Sequence, residues 1–306
     1  MKKQLPIYVQ IDIDTTMDKL WEYTQNPDLH TVWDARFTEI SYLPRAQDEP
    51  QRFRYRTRIG MGIDIAGEGE SAGQVEKESG DRVSSLKFWT HDRLSLIRKG
   101  SGYWKYTKKD GGIGFETLYQ YESAFGAAGR LADAYLFRPL LGWATAWSFD
   151  ALKMWLEQGF HPKLLLQRFL TYWTVCGVIA FVWLYHGLVP KLIMAHPDEI
   201  RMMEAVTGSM GSGVAMIRMV GILEMLFGLV WLLPLYKLKR PLFILQIVAI
   251  CGLTASAGIG DIGSFVAPFN PVTLNGMLIV LSLIGYGNSR HLPSAAHCRR
   301  KKAGDL

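Results

Sequence analysis

The stretch Phe169–Pro190 constrains this chain more than any other. From Phe169 to Tyr185 it holds no Asp, Glu, Lys or Arg. At about 1.5 Å per helical residue it reaches across a hydrocarbon core of roughly 30 Å. Residues before it read as a water-soluble domain, and residues after it read as further membrane.

Mean hydropathy is +0.06, a value that averages two unlike halves. Charge is concentrated before residue 165, and apolar runs dominate after it. The 306 residues carry a formal charge of +6. No nucleic-acid motif accompanies that excess, so anionic headgroups rather than nucleic acid are its expected counterpart. Two of the 3 cysteines, Cys176 and Cys251, lie in apolar runs, and Cys298 lies in a basic tail. No Cys-x-x-Cys exists, so neither a disulfide framework nor a metal site is expected. The N-terminus has no apolar run of signal length, which predicts that the first domain stays in the cytoplasm.

In residues 1–160 the apolar period is mostly two. Ile7, Val9, Ile11 and Ile13 alternate with polar residues as in a half-buried strand. Thr15-Thr16 caps a helix bearing Leu20, Trp21 and Tyr23, Asn26-Pro27-Asp28 stops it, and Trp33 closes a second short helix. Strands are predicted over Phe53–Ile59, Ile63–Val75 with a bulge, Val83–Trp89, Arg93–Arg98, Tyr103–Lys108 and Ile113–Tyr121. The period then changes. Leu140, Trp143, Ala144, Trp147, Ala151, Met154 and Trp155 repeat as on an amphipathic helix that starts near Pro139 and ends at Gly159.

This order, with the Trp21…Asn26-Pro27…Trp33 region and the closing helix, resembles the SRPBCC superfamily of START and polyketide-cyclase-like helix-grip domains. The resemblance covers roughly residues 5–158. It implies an α+β fold in which a curved antiparallel sheet wraps a long C-terminal helix around a cavity for apolar ligands. Some members catalyse reactions there. Candidate cavity residues are Tyr55, Trp89, Trp104, Tyr119 and Trp147; the plainer reading is that they are core. His91 and Asp92 are neighbours on one chain segment and would point to opposite faces, so they make a poor catalytic pair. Arg52, Arg54, Arg56 and Arg58 share one strand face, which is either solvated or rests on anionic lipid.

Residues 161–306 are expected to form an all-α bundle of four spans, about 169–190, 214–236, 241–260 and 271–287. Lys and Arg flank span one, fill the 2–3 loop at Lys237, Lys239 and Arg240, and follow span four. The 1–2 loop has only Lys191 and Arg201, offset by acids, and the 3–4 loop has neither. The positive-inside rule then puts both termini in the cytoplasm of a multi-pass cell-membrane protein. His196-Pro197-Asp198 starts a short interfacial helix.

Five polar residues, His186, Arg218, Glu224, Asp261 and Asn275, fall in the outer half of these spans. Ionisable groups at such depth face a partner or a water-filled cavity. They form either a charge network that ties the helices together or a site for a substrate, a proton or a quinone headgroup.

Trp183-Leu184-Tyr185-His186-Gly187-Leu188, Pro190-Lys191-Leu192 and His196-Pro197-Asp198-Glu199 resemble the DoxX-like family of four-span proteins over roughly residues 165–290. DoxX and DoxD relatives are associated with quinone-linked redox chemistry, notably thiosulfate oxidation. Nothing in this sequence supplies a redox centre. The leading expectation is therefore a membrane-anchored binding protein rather than an enzyme, holding an apolar or lipid-like molecule and needing no cofactor. The alternatives are a quinone-linked oxidoreductase subunit and an assembly subunit without a small ligand.

Overall fold

A computed structural model describes residues 5–301 apart from 47, 61, 209–212, 261, 267 and 269, and omits the side chains of 206, 260 and 264. The described chain divides into two compact units, residues 1–165 with 293–306, and residues 166–292.

The first unit opens with β1 (Ile7–Ile13), α1 (Met17–Gln25) and α2 (Pro27–Trp33). Thr16 caps α1 by accepting from the Lys19 N–H, and Asn26 caps α2 by accepting from the Asp28 N–H. Six strands follow: β2 (Glu39–Tyr42), β3 (Arg52–Gly60), β4 (Ile63–Glu76), β5 (Arg82–Trp89), β6 (Ile97–Lys109) and β7 (Gly112–Ser123). They form one antiparallel sheet in the order β1-β7-β6-β5-β4-β3-β2. The register of β4 against β5 shifts between Ser71 and Gly73, the bulge anticipated for that strand. The two short strands predicted over Arg93–Lys108 are instead one strand that begins at Ile97.

Gly100 and Gly102 do not break that strand. They are places where neighbouring rings lie flat. A Cβ at Gly100 would strike the Phe88 ring, and one at Gly102 would strike Tyr119. Gly67 and Gly69 receive Tyr55 and Phe53 in the same way. Aromatic side chains across interior glycines thus pave the concave face.

After α3 (Gly126–Ala132) and a π-helical turn at Asp133–Phe137 comes α4 (Arg138–Gln158), which ends on Gly159 in the left-handed conformation. Ala146, Trp147, Phe149, Ala151 and Leu152 on α4 are buried, and the helix packs on β1. Sheet and helix together make a helix-grip fold.

The tail belongs to this unit rather than to the membrane half where the sequence reading placed it. Gln10 on β1 and Arg299 exchange two backbone hydrogen bonds, 2.9 and 2.8 Å. Asp150, wholly buried on α4, accepts from the Ser294 N–H at 2.8 Å and lies 2.8 Å from the His297 ring. The Cys298 thiol donates to the Ala146 carbonyl. Burial and the nearby Asp150 push that thiol up to about 12. The tail thereby covers part of the free edge of β1, a common way to blunt an edge strand.

The second unit takes up α5 (Pro162–His186), which continues as a π-helix over Gly187–Ile193. Next come α6 (Pro197–Thr207), α7 (Gly213–Leu232), α8 (Lys239–Gly260) and α9 (Pro271–Asn288). Four segments are long and apolar enough to cross a membrane: Pro162–Ile193, Gly213–Leu232, Lys239–Ile259 and Pro271–Asn288. The second stops at Leu232, four residues short of the expected end, because Pro234 cannot continue a helix. Tyr172, Cys176, Ile179, Trp183, Trp231 and Phe243 form the core of the unit. Lys239, counted among the loop cations in the sequence, is 1% exposed. Its ammonium donates to the Trp231 carbonyl at 2.6 Å, closing the C-terminal end of α7.

Candidate functional site

The most structured polar group in the first unit grows from the end of α2. Asp34 caps that helix and is 0% exposed. Arg36 turns back onto it, donating from Nε to Oδ1 at 2.8 Å and from Nη2 to Oδ2 at 2.6 Å. This is the bidentate geometry in which guanidinium and carboxylate match best. The remaining arm of Arg36 donates to Thr145 on α4 at 3.1 Å. Thr145 in turn shares a 2.8 Å bond with the Tyr119 hydroxyl.

Backbone ties hold this loop in place. The Ala35 N–H donates to Ser148 on α4, and Thr57 on β3 donates to the Arg36 carbonyl. Burial alone would raise the Asp34 pKa. The charge and hydrogen bonds of Arg36, with the bond from His30, outweigh that and hold its carboxyl well below the ordinary 3.8. His30, one turn earlier on α2, places Nε2 3.0 Å from Asp34 Oδ2. Its ring stacks on Trp33 and meets Phe37 and Trp104 edge-on.

Strand register sorts the expected cavity residues. Tyr55 pairs with Gly67 on the concave face, where its ring meets Phe37 at 5.7 Å. Trp104 and Tyr119 lie on the same face and are buried, as is Trp147 on α4. Trp89 does not belong with them. It pairs with Glu68 and Lys99, and the Arg52 guanidinium lies 6.0 Å above its ring, so it sits on the convex face. Its neighbour Phe88 faces inward instead. Phe53, Tyr55, Leu86 and Phe88 remain half-exposed, whereas the β7 residues Ile113, Phe115, Tyr119 and Tyr121 are buried.

Each arginine of the stripe on the convex face has a carboxylate partner. Arg52 and Arg54 pair with Glu68, Arg56 with Glu39, and Arg58 with Asp64. A shallow space of about 260 Å³ lies elsewhere in this unit, lined by Gln10, Ile11, Asp12, Lys153, His297 and Arg299.

In the second unit the expected polar residues only partly converge. Glu224 on α7 is buried, and its Oε2 lies 3.1 Å from Lys191 Nζ. Lys191 also reaches Glu199 on α6 at 3.4 Å. The sequence places Lys191 in the 1–2 loop. The helix instead continues as a π-helix through Pro190 and turns Lys191 toward α7. Close packing permits the contact: a Cβ at Gly187 would lie 2.5 Å from the Gly221 carbonyl oxygen. His186 is half-buried one turn before Lys191, and Asn275 donates to Thr254 on α8 at 2.8 Å. Arg218 is exposed on α7 and does not join the group. Asp261 lies outside the described residues. Among the described residues no group of three His, Cys, Asp or Glu side chains is placed to hold a metal.

A helix-grip unit followed by four apolar helices, the second held to the first by a buried ion pair, defines a two-part membrane protein. Residues 180–283 match the DoxX-like family. The chain is 40% identical to YndG, an uncharacterized membrane protein of Bacillus subtilis (strain 168), over 98% of its own length and 99% of that protein's. It belongs to the same family as YndG.

Solved structures resemble the first unit in fold. The di-domain aromatase/cyclase StfQ of the steffimycin biosynthetic pathway matches 50% of this chain and 51% of its own (17% identity, TM-score 0.39). A STAR-related lipid transfer protein of Xanthomonas axonopodis matches 52% and 97% (14% identity, TM-score 0.38).

Proposed function

We propose that the protein holds an apolar or lipid-like molecule on the concave face of its helix-grip unit and that the four-span bundle anchors it in the cell membrane. The observation that carries this reading is the half-buried, incompletely covered aromatic wall of Phe53, Tyr55 and Phe88 on β3 and β5. A folded soluble domain normally covers rings of this size, and left open they gain by taking an apolar partner. Trp104, Tyr119 and Trp147 form the buried floor beneath, and Asp34, Arg36 and His30 offer a polar end. Trp89 is not part of this site.

Both termini lie in the cytoplasm on this reading. The lysines and arginines flanking the spans support that side. Connectivity supports placing both termini on one side, because a chain that leaves the first unit before Leu166 and rejoins it at Pro293 must cross the membrane an even number of times.

Organic extraction of full-length protein purified in mild detergent, followed by mass spectrometry, tests the reading. A stoichiometric apolar species in wild type that is lost from Tyr55→Asp supports it. An extract identical for the two proteins overturns it.

A further inference from the structure

The His30 imidazole lies among Trp33, Phe37 and Trp104 beside a buried carboxylate. We propose that His30, oriented by Asp34, is a general base that removes a proton from the apolar molecule held on the concave face. The proposal rests on the binding reading and goes further: the domain acts on its ligand as well as holding it.

Three observations converge. First, the carboxylate that contacts His30 stays ionised. Asp34 is 0% exposed and held by both arms of Arg36. It therefore accepts a hydrogen bond from His30 Nε2 rather than donating one, which in the neutral ring puts the hydrogen on Nε2 and leaves a bare lone pair on Nδ1. A buried carboxylate that fixes the tautomer and orientation of a histidine is the arrangement that readies imidazole for proton abstraction.

Second, among the described residues no hydrogen bond is made to Nδ1, while 12% of the His30 side chain remains exposed. The unused nitrogen is therefore open to an incoming molecule. Third, the surroundings are aromatic. Trp33, Phe37 and Trp104 border the ring at centroid distances of 5.0, 5.4 and 4.9 Å. Such a setting lets an apolar substrate approach the ring.

The substrate class that fits is an apolar carbonyl compound with an acidic hydrogen on the carbon next to the carbonyl. Nδ1 takes that hydrogen as a proton, and the C–H electron pair moves onto the carbonyl oxygen as an enolate. Return of the proton to a different carbon completes an isomerisation. Atoms and electrons balance with no oxidant or reductant. Asp34 is a positioning residue here and His30 the catalytic one.

Two measurements on the full-length protein test this. Diethyl pyrocarbonate acylates an unprotonated, accessible imidazole nitrogen. Peptide mass mapping is expected to find His30 modified, and a His30 left inert while the exposed His91 reacts overturns the proposal. The second uses 5-nitrobenzisoxazole as an apolar carbon acid. The base takes its C3 hydrogen, the C–H electrons complete a nitrile, the N–O bond breaks, and the electron pair leaves on the phenolate oxygen, which is followed by its colour.

His30→Gln keeps an amide donor for Asp34 and removes the base. It is expected to lower kcat by roughly 10²-fold, the lower range for a positioned general base, with little change in KM. Free imidazole should restore turnover to His30→Gly, and His91→Gln should match wild type. Equal rates for wild type and His30→Gln, or no turnover by wild type, overturn the proposal. The extraction experiment judges binding without reference to His30, so failure of one reading is distinguishable from failure of the other.

Discussion

The Asp34–Arg36 pair of the helix-grip unit and the Glu224–Lys191 pair of the membrane unit are both buried, and the two are built differently. In the helix-grip unit Asp34 and Arg36 are joined by two hydrogen bonds within 2.8 Å, and Thr145 and His30 supply further partners. In the membrane unit Lys191 stands 3.1 Å from Glu224 and 3.4 Å from Glu199, so one ammonium serves two carboxylates. Oε2 of Glu224 makes no hydrogen bond among the described residues despite that proximity. A fully satisfied pair resists change because every donor and acceptor would have to be replaced together. A lysine shared between two carboxylates keeps one partner when the other is removed. The first pair is a scaffold for the residue beside it, and the second ties the π-helical end of α5 to α7 and α6.

The comparison breaks most sharply at Asp34. Asp34→Ala leaves the Arg36 charge buried without its partner and should destabilise the first unit by about 3–5 kcal/mol, read by thermal or denaturant unfolding. The folded pKa of Asp34 lies below its ordinary 3.8, so the pair's contribution is present in full above that value and fades as pH falls below about 4. A loss smaller than about 1 kcal/mol would show that Arg36 finds water instead.

Next in size is the tail. Asp150→Ala removes two buried hydrogen bonds and should cost about 1–3 kcal/mol. A more specific readout is Cys298, whose thiol should turn from slow to fast alkylation once the tail is released. Unchanged alkylation would mean that the β1 bridge alone holds the tail.

Glu224→Gln should cost less, about 1 kcal/mol or under, because Lys191 keeps Glu199. Lys191→Met should cost more than Glu224→Gln, since it strands two carboxylates. The reverse order would contradict the shared-lysine description. The smallest effect is expected at Trp89: Trp89→Ala should leave ligand recovery unchanged, whereas Phe88→Ala should reduce it.

Much of this was legible in the residues. The alternation of Ile113 to Tyr121 gave its inward face directly, and the i, i+3, i+4 pattern gave α4. The four spans followed from the length of their apolar runs. What could not be read depended on pairing across the chain. Phe88 and Trp89 are adjacent aromatics, and only the register with β4 and β6 decides which one faces inward. Asp34 and Arg36 are two residues apart in a loop, where the backbone path rather than any period decides whether they meet. The i, i+4 spacing of His30 and Asp34 was an available signal, masked by the Trp33 between them. Lys191 falls just past the expected end of span one at Pro190, and a π-helical turn carries the chain past that proline. Asp150 sits inside the apolar stripe of α4, a buried carboxylate whose partner lies 147 residues away in the tail.

The most direct test of the account is photo-crosslinking of a diazirine-bearing fatty-acyl probe to the full-length protein in detergent, with peptide mapping of the adducts. The account predicts adducts on Phe37 and on β3 between Arg52 and Gly60, reduced in Tyr55→Asp. Adducts confined to the four spans, with none on β3, would contradict it.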